Sequence, residues 1–312
     1  MIRDTNFLKK EIFRLKREKN AIILGHYYIS GELQDISDFT GDSLQLSQQA
    51  ATTQADIIVF LGVYFMAETA KILSPGKKVL IPDPAAGCSL ADSCKPDEFS
   101  AFIKKHPGHI VVSYVNTSAA IKAMTDIVVT SSNAMKIVNS LPQDQAIIFA
   151  PDRNLGNYIN SVTGRNMVLY NGACHVHEQF SLEALLTLKT KHPEAIVLAH
   201  PECEPPVRML ADYIGSTSAL LKYSSQSKDN MFLVATESGI LHQMKKARPD
   251  AVFIPVPGND STCACNDCSY MKLNSIEKLY NSLLNEEFEV QVDNETAEKA
   301  RHSILRMLTL SE

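Results

Sequence analysis

Short apolar runs alternate with mixed polar stretches along most of this chain, and the alternation recurs in the same order. One pass runs "AIILGHYY", "GDSLQLSQQA", "DIIVFLGV", "MAETAKIL", "KVLIPDP" and "AAGCSLAD". A second runs "HIVVSYVN", "TSSNAMKIV", "QAIIFAP", "NLGNYI", "MVLYNG" and "ACHVHE". A third runs "AIVLAHPE", "GSTSALLKY", "MFLVATE", "ILHQMKK", "AVFIPVP" and "CACNDCSYM". The apolar runs read as strands and the mixed runs as helices, the first with an Asp/Ser cap.

The spacings agree. His26 to Ser43, Tyr114 to Ser131 and His200 to Thr217 are each 17 residues. Ser43 to Cys88 is 45 and Ser131 to Cys174 is 43; from Thr217 the steps are 46, 48 and 51 to Cys263, Cys265 and Cys268. Each copy places polar residues after its first strand, a hydroxyl at a helix start and cysteine after its last strand.

Alternating strands and helices predict parallel βαβ units. Continuous apolar runs such as "IIVF" and "AIVLA" suit strands buried on both faces. The fold class expected is α/β, three pseudo-threefold-related units around a central site. The expected divisions are 1–98 with an N-terminal helix, 99–183, 184–274, and a helical tail over 275–312 that packs back on the body. Phe7, Leu8, Ile12 and Leu15 mark the N-terminal helix as amphipathic.

In parallel sheets ligands sit beyond the carboxyl ends of the strands. With those ends turned inward, Cys88, Cys174 and one cysteine of "CACNDC" meet at one centre. In "NGACHVHEQF", Cys174 stands beside His175 and near His177, and its missing ligand partners lie one repeat away on each side. Zinc or an iron–sulfur cluster suits such thiolates; with three ligands one position stays open for substrate. His26, Tyr28, Tyr114, Asn116, His200 and Glu202 surround the same point. Ser43, Ser131 and Thr217 read as helix caps whose free N–H groups also suit anions. Cys94 and Cys203 have no counterparts in the other copies and read as structural.

With 312 residues, 45% apolar and 21% charged, the chain has material for a substantial core. A net charge of −5 without a basic block argues against nucleic acid. "IIVFLGVYFMA" is too short to span a bilayer, and the N-terminal segment mixes charges where a signal would be apolar. No membrane role and a cytoplasmic location are expected. Seven cysteines, an odd number, favour metal or redox chemistry over a disulfide framework.

"GHYY", "ELQDISDFTGDSLQLS", "PDPAAGCSLADSC", "VSYVNTSAAIKA", "APDRNLGNYI", "GACHVHE", "AHPECEP", "GSTSAL", "ATESGILHQM" and "CNDCSYMKLN" together resemble the quinolinate synthase family. The resemblance runs from about residue 20 to 280 and rests on the set, not on one motif. It implies one [4Fe–4S] cluster per chain on Cys88, Cys174 and Cys268. It further implies condensation of iminoaspartate with dihydroxyacetone phosphate to quinolinate on the route to NAD, with an L-aspartate oxidase or dehydrogenase supplying iminoaspartate. The positions matching the family's substrate residues are His26, Tyr28, Ser43, Tyr114, Asn116, Ser131, His200, Glu202, Ser216 and Thr217. Of these, Glu202, His200 and Tyr28 are the expected catalytic groups. "CACNDC" departs from a lone cysteine, leaving Cys263 and Cys265 as spare thiols or a redox pair. Rival expectations are another dehydratase, a zinc-stabilised binding protein, or a thiol–disulfide protein on Cys265 and Cys268.

Overall fold

Three four-stranded parallel sheets of identical strand order carry the chain in a computed structural model that describes residues 4–259 and 266–312. The first sheet comprises β1 (Ala21–His26), β2 (Phe39–Gly41), β3 (Ile57–Leu61) and β4 (Lys78–Leu80), ordered β2-β1-β3-β4. The second has β5 (Ile110–Tyr114), β6 (Ile127–Val129), β7 (Ile147–Ala150) and β8 (Val168–Leu169), ordered β6-β5-β7-β8. The third has β9 (Ile196–Ala199), β10 (Tyr213–Ile214), β11 (Met231–Ala235) and β12 (Val252–Pro255), ordered β10-β9-β11-β12. The registers repeat too. Leu24 faces Phe39 and Phe60, Val112 faces Ile127 and Phe149, and Leu198 faces Tyr213 and Val234. The expected α/β architecture of three like units is therefore present.

The sequence reading missed one strand per copy. β2, β6 and β10 span only two or three residues, too few to show a period. An aspartate precedes each of them. Asp38, Asp126 and Asp212 accept a hydrogen bond from the backbone N–H of Ile23, Val111 and Val197 at 2.8, 2.7 and 2.8 Å. Each aspartate returns its own N–H to that same residue's carbonyl at 2.9 Å. The edge strand is thus pinned to the central strand by side chain and backbone together.

The caps also fall differently from the expectation. Of the expected Asp/Ser pair it is Asp42 that caps the helix Ser43–Thr52, in a capping box with Gln45. Ser216, not Thr217, caps Thr217–Gln226. Ser131 lies in the turn before Ala134–Ser140, where the Asn133 side chain accepts from the Thr130 N–H at 2.6 Å. An aspartate or serine one residue earlier satisfies the free N–H groups, which leaves the Ser43 and Thr217 hydroxyls available.

The N-terminal helix Thr5–Glu18 buries Leu8, Ile12 and Leu15, while Phe7 is 48% exposed and outside that stripe. The helix packs on Ile276–Asn285. The following segment extends the β4 edge, with the Val290 N–H donating to the Val79 carbonyl at 2.8 Å. The last helix, Asn294–Ser311, is capped by Asp293 and packs on β6, on Ala119–Lys122 and on Tyr64–Leu73. One apolar core runs from the first unit into the second and beneath these terminal helices. The third unit is built on two smaller clusters. No described helix is long and apolar enough to cross a membrane.

Candidate active site

β1 and β5 end at His26 and Tyr114, and β9 ends one residue before His200. These strand ends open into one cavity of about 690 Å³, its mouth included. Its wall is drawn from all three units. Cys88, Cys174 and Cys268 line it together, although 180 residues separate the first from the last. Cys263 and Cys265 lie outside the described residues.

Burial pushes all three thiols up, Cys88 to about 12. After burial, the charge of Cys268 also raises Cys88, and those of Glu202 and Cys88 also raise Cys174. Three partly exposed thiols lining one cavity resist ionising unless a cation takes up the charge. That donor set fits a soft metal or an iron–sulfur cluster, which binds thiolate. Carboxylates hold two of the loops from behind. The Cys174 N–H donates to Asp152 Oδ2 and the Cys268 N–H to Glu237 Oε1, both at 3.2 Å. Asp152 and Glu237 each stand two residues past the third strand of their unit. The repeat alignment alone could have singled them out.

Beside the thiols lies a buried histidine–carboxylate cluster. Glu202 Oε1 accepts from the Tyr114 hydroxyl at 2.5 Å and lies 3.5 Å from His200 Nδ1. Glu202 Oε2 lies 3.2 Å from His177 Nδ1. That pair is poorly aligned, so both atoms are buried with no hydrogen-bond partner; Asn116 Oδ1 is in the same state. Buried polar atoms left unpaired cost about 1–3 kcal/mol each, and their clustering in a cavity marks where a ligand completes them. Ligand atoms of Cys174, His177 and Glu202 lie within 4.8 Å of one another, so this corner too can hold a metal ion. The rings of His177 and His200 stack at 4.6 Å.

Burial opposes ionisation of Glu202, but the facing His177 ring and the Tyr114 hydroxyl outweigh it and hold its carboxyl below the usual carboxylate range. Burial also lowers His200 to about 3 and His26 to about 4, against the pull of nearby carboxylates. Both imidazoles are therefore neutral at working pH. Tyr28 and Tyr114 are pushed well up, first by burial. The cavity thus presents an ionised carboxylate beside neutral imidazoles and protonated phenols, a set able to take a proton and to give one.

The remaining sequence-selected groups fall as follows. The Tyr28 hydroxyl bonds Thr217 Oγ1 at 2.7 Å and Thr236 Oγ1 at 2.9 Å. Ser131 Oγ lies 3.3 Å from His200 Nε2, and the Tyr28 N–H donates to His26 Nδ1 at 3.2 Å. Ser43 and Asn116 line the cavity wall. Ser216 does not; it is a buried cap, accepting from the Ala219 N–H at 3.3 Å. Sequence reasoning read Asp42 only as a possible helix cap and missed its place in the cavity wall. Its Oδ2 accepts from Ser132 and Ser218 hydroxyls at 2.7 and 2.5 Å, joining one side chain of each unit beside the cavity. It also missed Thr236, which bridges Tyr28 to His177 Nε2 at 3.0 Å.

Comparison with known proteins gives one answer. The family described as Quinolinate synthetase A protein matches residues 10–309. Quinolinate synthase of a Synechococcus species is 56% identical over 304 residues, covering 97% of this chain and 95% of the relative. That of Microcystis aeruginosa is 58% identical over 300 residues, covering 96% and 94%. That of a Synechocystis species is 58% identical over 297 residues, covering 95% and 93%. Together with three like α/β units sharing one cysteine-lined cavity, these matches place the chain in the quinolinate synthetase A family.

Proposed function

We propose that this chain condenses iminoaspartate with dihydroxyacetone phosphate to give quinolinate, phosphate and two waters, in the cytoplasm, on the route to NAD. The observation that carries this reading is the meeting of Cys88, Cys174 and Cys268 in the same cavity as Tyr28, Tyr114, His200 and Glu202. The three thiolates would hold one [4Fe–4S] cluster. When bound, the cluster supplies a Lewis-acid iron with an open position, the chemistry that loss of hydroxide near neutral pH requires. Residues 1–98, 99–183 and 184–274 supply the three walls, and 275–312 braces them from outside.

The chain's own groups do the proton work and the holding. Glu202 is ionised and takes protons as general base. Neutral His200 sits beside it, within reach of Ser131, and orients or polarises substrate. Tyr28 keeps its proton through burial and donates it as the triose phosphate enolises; Thr217 and Thr236 fix its hydroxyl. His26, Ser43, Tyr114, Asn116, Ser131 and Thr217 offer hydroxyl, amide and imidazole contacts to carboxylate and phosphate. Ser216 contributes by capping the helix that carries Thr217. Iminoaspartate is unstable in water, so an L-aspartate oxidase or dehydrogenase supplies it.

The test is anaerobic purification, a quinolinate assay from dihydroxyacetone phosphate and enzymatically generated iminoaspartate, and iron and sulfide counts on the same sample. Quinolinate in proportion to about one four-iron cluster per chain is the expected result. An intact cluster without quinolinate would redirect the reading to another dehydration. Zinc in place of iron would overturn the cluster.

A further inference from the structure

Glu237 is fully buried, lies in the cavity wall and has no part in the chemistry above. Its Oε1 accepts from the Cys268 N–H at 3.2 Å and pairs with Lys272 Nζ at 2.8 Å. Its Oε2 accepts from the Gly239 N–H at 2.7 Å. The same Lys272 ammonium donates to the Tyr28 carbonyl at 2.8 Å. One carboxylate thus ties the segment of the third cysteine to the backbone of the candidate catalytic tyrosine in the first unit.

Two further contacts make this tie stiff. A Cβ at Gly239 would come within 2.8 Å of Glu237 Oε2, of the Tyr27 carbonyl oxygen and of Tyr28 Cα, so this turn lies directly on the tyrosine loop. The Gln34 amide donates to the carbonyls of Tyr27, Ile29 and Gly239 at 2.8, 3.0 and 2.9 Å, clamping loop and turn together. A buried carboxylate bonded to main chain on one side and to an ammonium on the other tolerates little displacement, because any shift leaves a buried charge unpaired.

We propose that Glu237 is a positioning residue that makes seating of the Cys268 segment and placement of Tyr28 a single event. Metal loading at Cys268 draws Lys272 and Glu237 into register, and Lys272 then fixes the Tyr28 loop. This deepens the proposed function and rests on it for the role of Tyr28. The linkage is reciprocal, as any coupling between two sites must be.

The test uses the full chain, metal-free and anaerobically reconstituted, with Lys272→Gln, Glu237→Gln and the charge-free double variant. Three quantities are read: iron per chain, hydrogen exchange in the peptides over residues 26–34 and 266–274, and KM against kcat for dihydroxyacetone phosphate. In the parent chain, loading should slow exchange in both peptides by about ten-fold or more. Lys272→Gln should load iron normally and keep protection over 266–274. It should lose protection over 26–34 and lower kcat about ten-fold with a smaller change in KM. Glu237→Gln should lose protection in both peptides. The double variant carries no unpaired buried charge, so it should fold, yet it should show no linked protection. Loading that protects only 266–274 in the parent would overturn the proposal, as would Lys272→Gln with parental protection over 26–34 and parental kcat. Linked protection in a chain that makes no quinolinate would sink the proposed reaction and support the linkage.

Discussion

The Tyr114 hydroxyl, from the second unit, donates a 2.5 Å hydrogen bond to Glu202 Oε1, from the third. It is one of the contacts that hold Glu202 ionised in a buried site. Removing it raises the carboxyl, so Tyr114→Phe should move the acidic limb of the kcat/KM profile to higher pH. A bond to a charged group contributes about 1.5–3 kcal/mol, so a loss of roughly ten-fold or more is expected below the shifted limb. A pH–rate profile of both proteins checks this; an unmoved acidic limb would mean that Glu202 is not the group titrating there.

Glu202→Gln keeps the shape of the side chain and removes the base. We expect kcat to fall by about 10²–10⁴-fold, while iron and sulfide per chain stay at parental values. Normal turnover with an intact cluster would end the general-base assignment.

The cysteines should sort into two classes. Cys88→Ser, Cys174→Ser and Cys268→Ser should each lose iron on anaerobic reconstitution. Cys94 and Cys203 are fully buried outside the cavity, and Cys203 Sγ donates to the Ala235 carbonyl at 3.2 Å. Cys94→Ser should retain full iron and lose only about 1–2 kcal/mol in a denaturant titration, the cost of a hydroxyl in an apolar setting.

His26 makes stability depend on pH. Burial lowers its folded value to about 4, against an ordinary 6.5. Below 6.5 the unfolded chain takes up the proton while the folded chain stays neutral. The contribution of neutral His26 is therefore complete above 6.5 and drains away as pH falls towards 4. At pH 5 the deficit is about 2 kcal/mol. Urea unfolding of the parent and His26→Asn should show the gap between them narrowing by that amount from pH 7 to pH 5. A gap that does not change with pH would place His26 in contact with water.

The three edge-strand aspartates offer a test of the fold itself. Asp38→Ala, Asp126→Ala and Asp212→Ala should each cost about 1 kcal/mol, because each frees one central-strand N–H. They lie in different units, so their effects should add. Denaturation midpoints of the single and triple variants measure this.

Much of the architecture is legible along the chain. The apolar runs and the equal steps from His26 to Ser43, Tyr114 to Ser131 and His200 to Thr217 predict three like units. The cysteine after each last strand predicts a shared centre. These features are local: a strand or helix start is set by a few neighbouring residues, so its period survives in the sequence. The edge strands were lost because two or three residues carry no period. The caps were displaced by one because Asp42 and Ser216 compete with their neighbours for the same N–H groups.

Side-chain partnership across units left no such trace. Tyr28 and Thr217 are 189 residues apart yet share a 2.7 Å bond. Ser216 and Thr217 are adjacent, yet only Thr217 reaches the cavity. Nothing in their types separates them, since the direction of each side chain depends on where the helix starts. Likewise Glu237, unremarked in its motif, becomes the link between Cys268 and Tyr28 only once the third unit docks on the first. Periodicity and spacing thus determined the elements, their threefold recurrence and the kinds of groups at the centre. Tertiary packing decided which of those groups face one another, because burial, charge pairing and hydrogen-bond geometry act between atoms that meet only when the three units close.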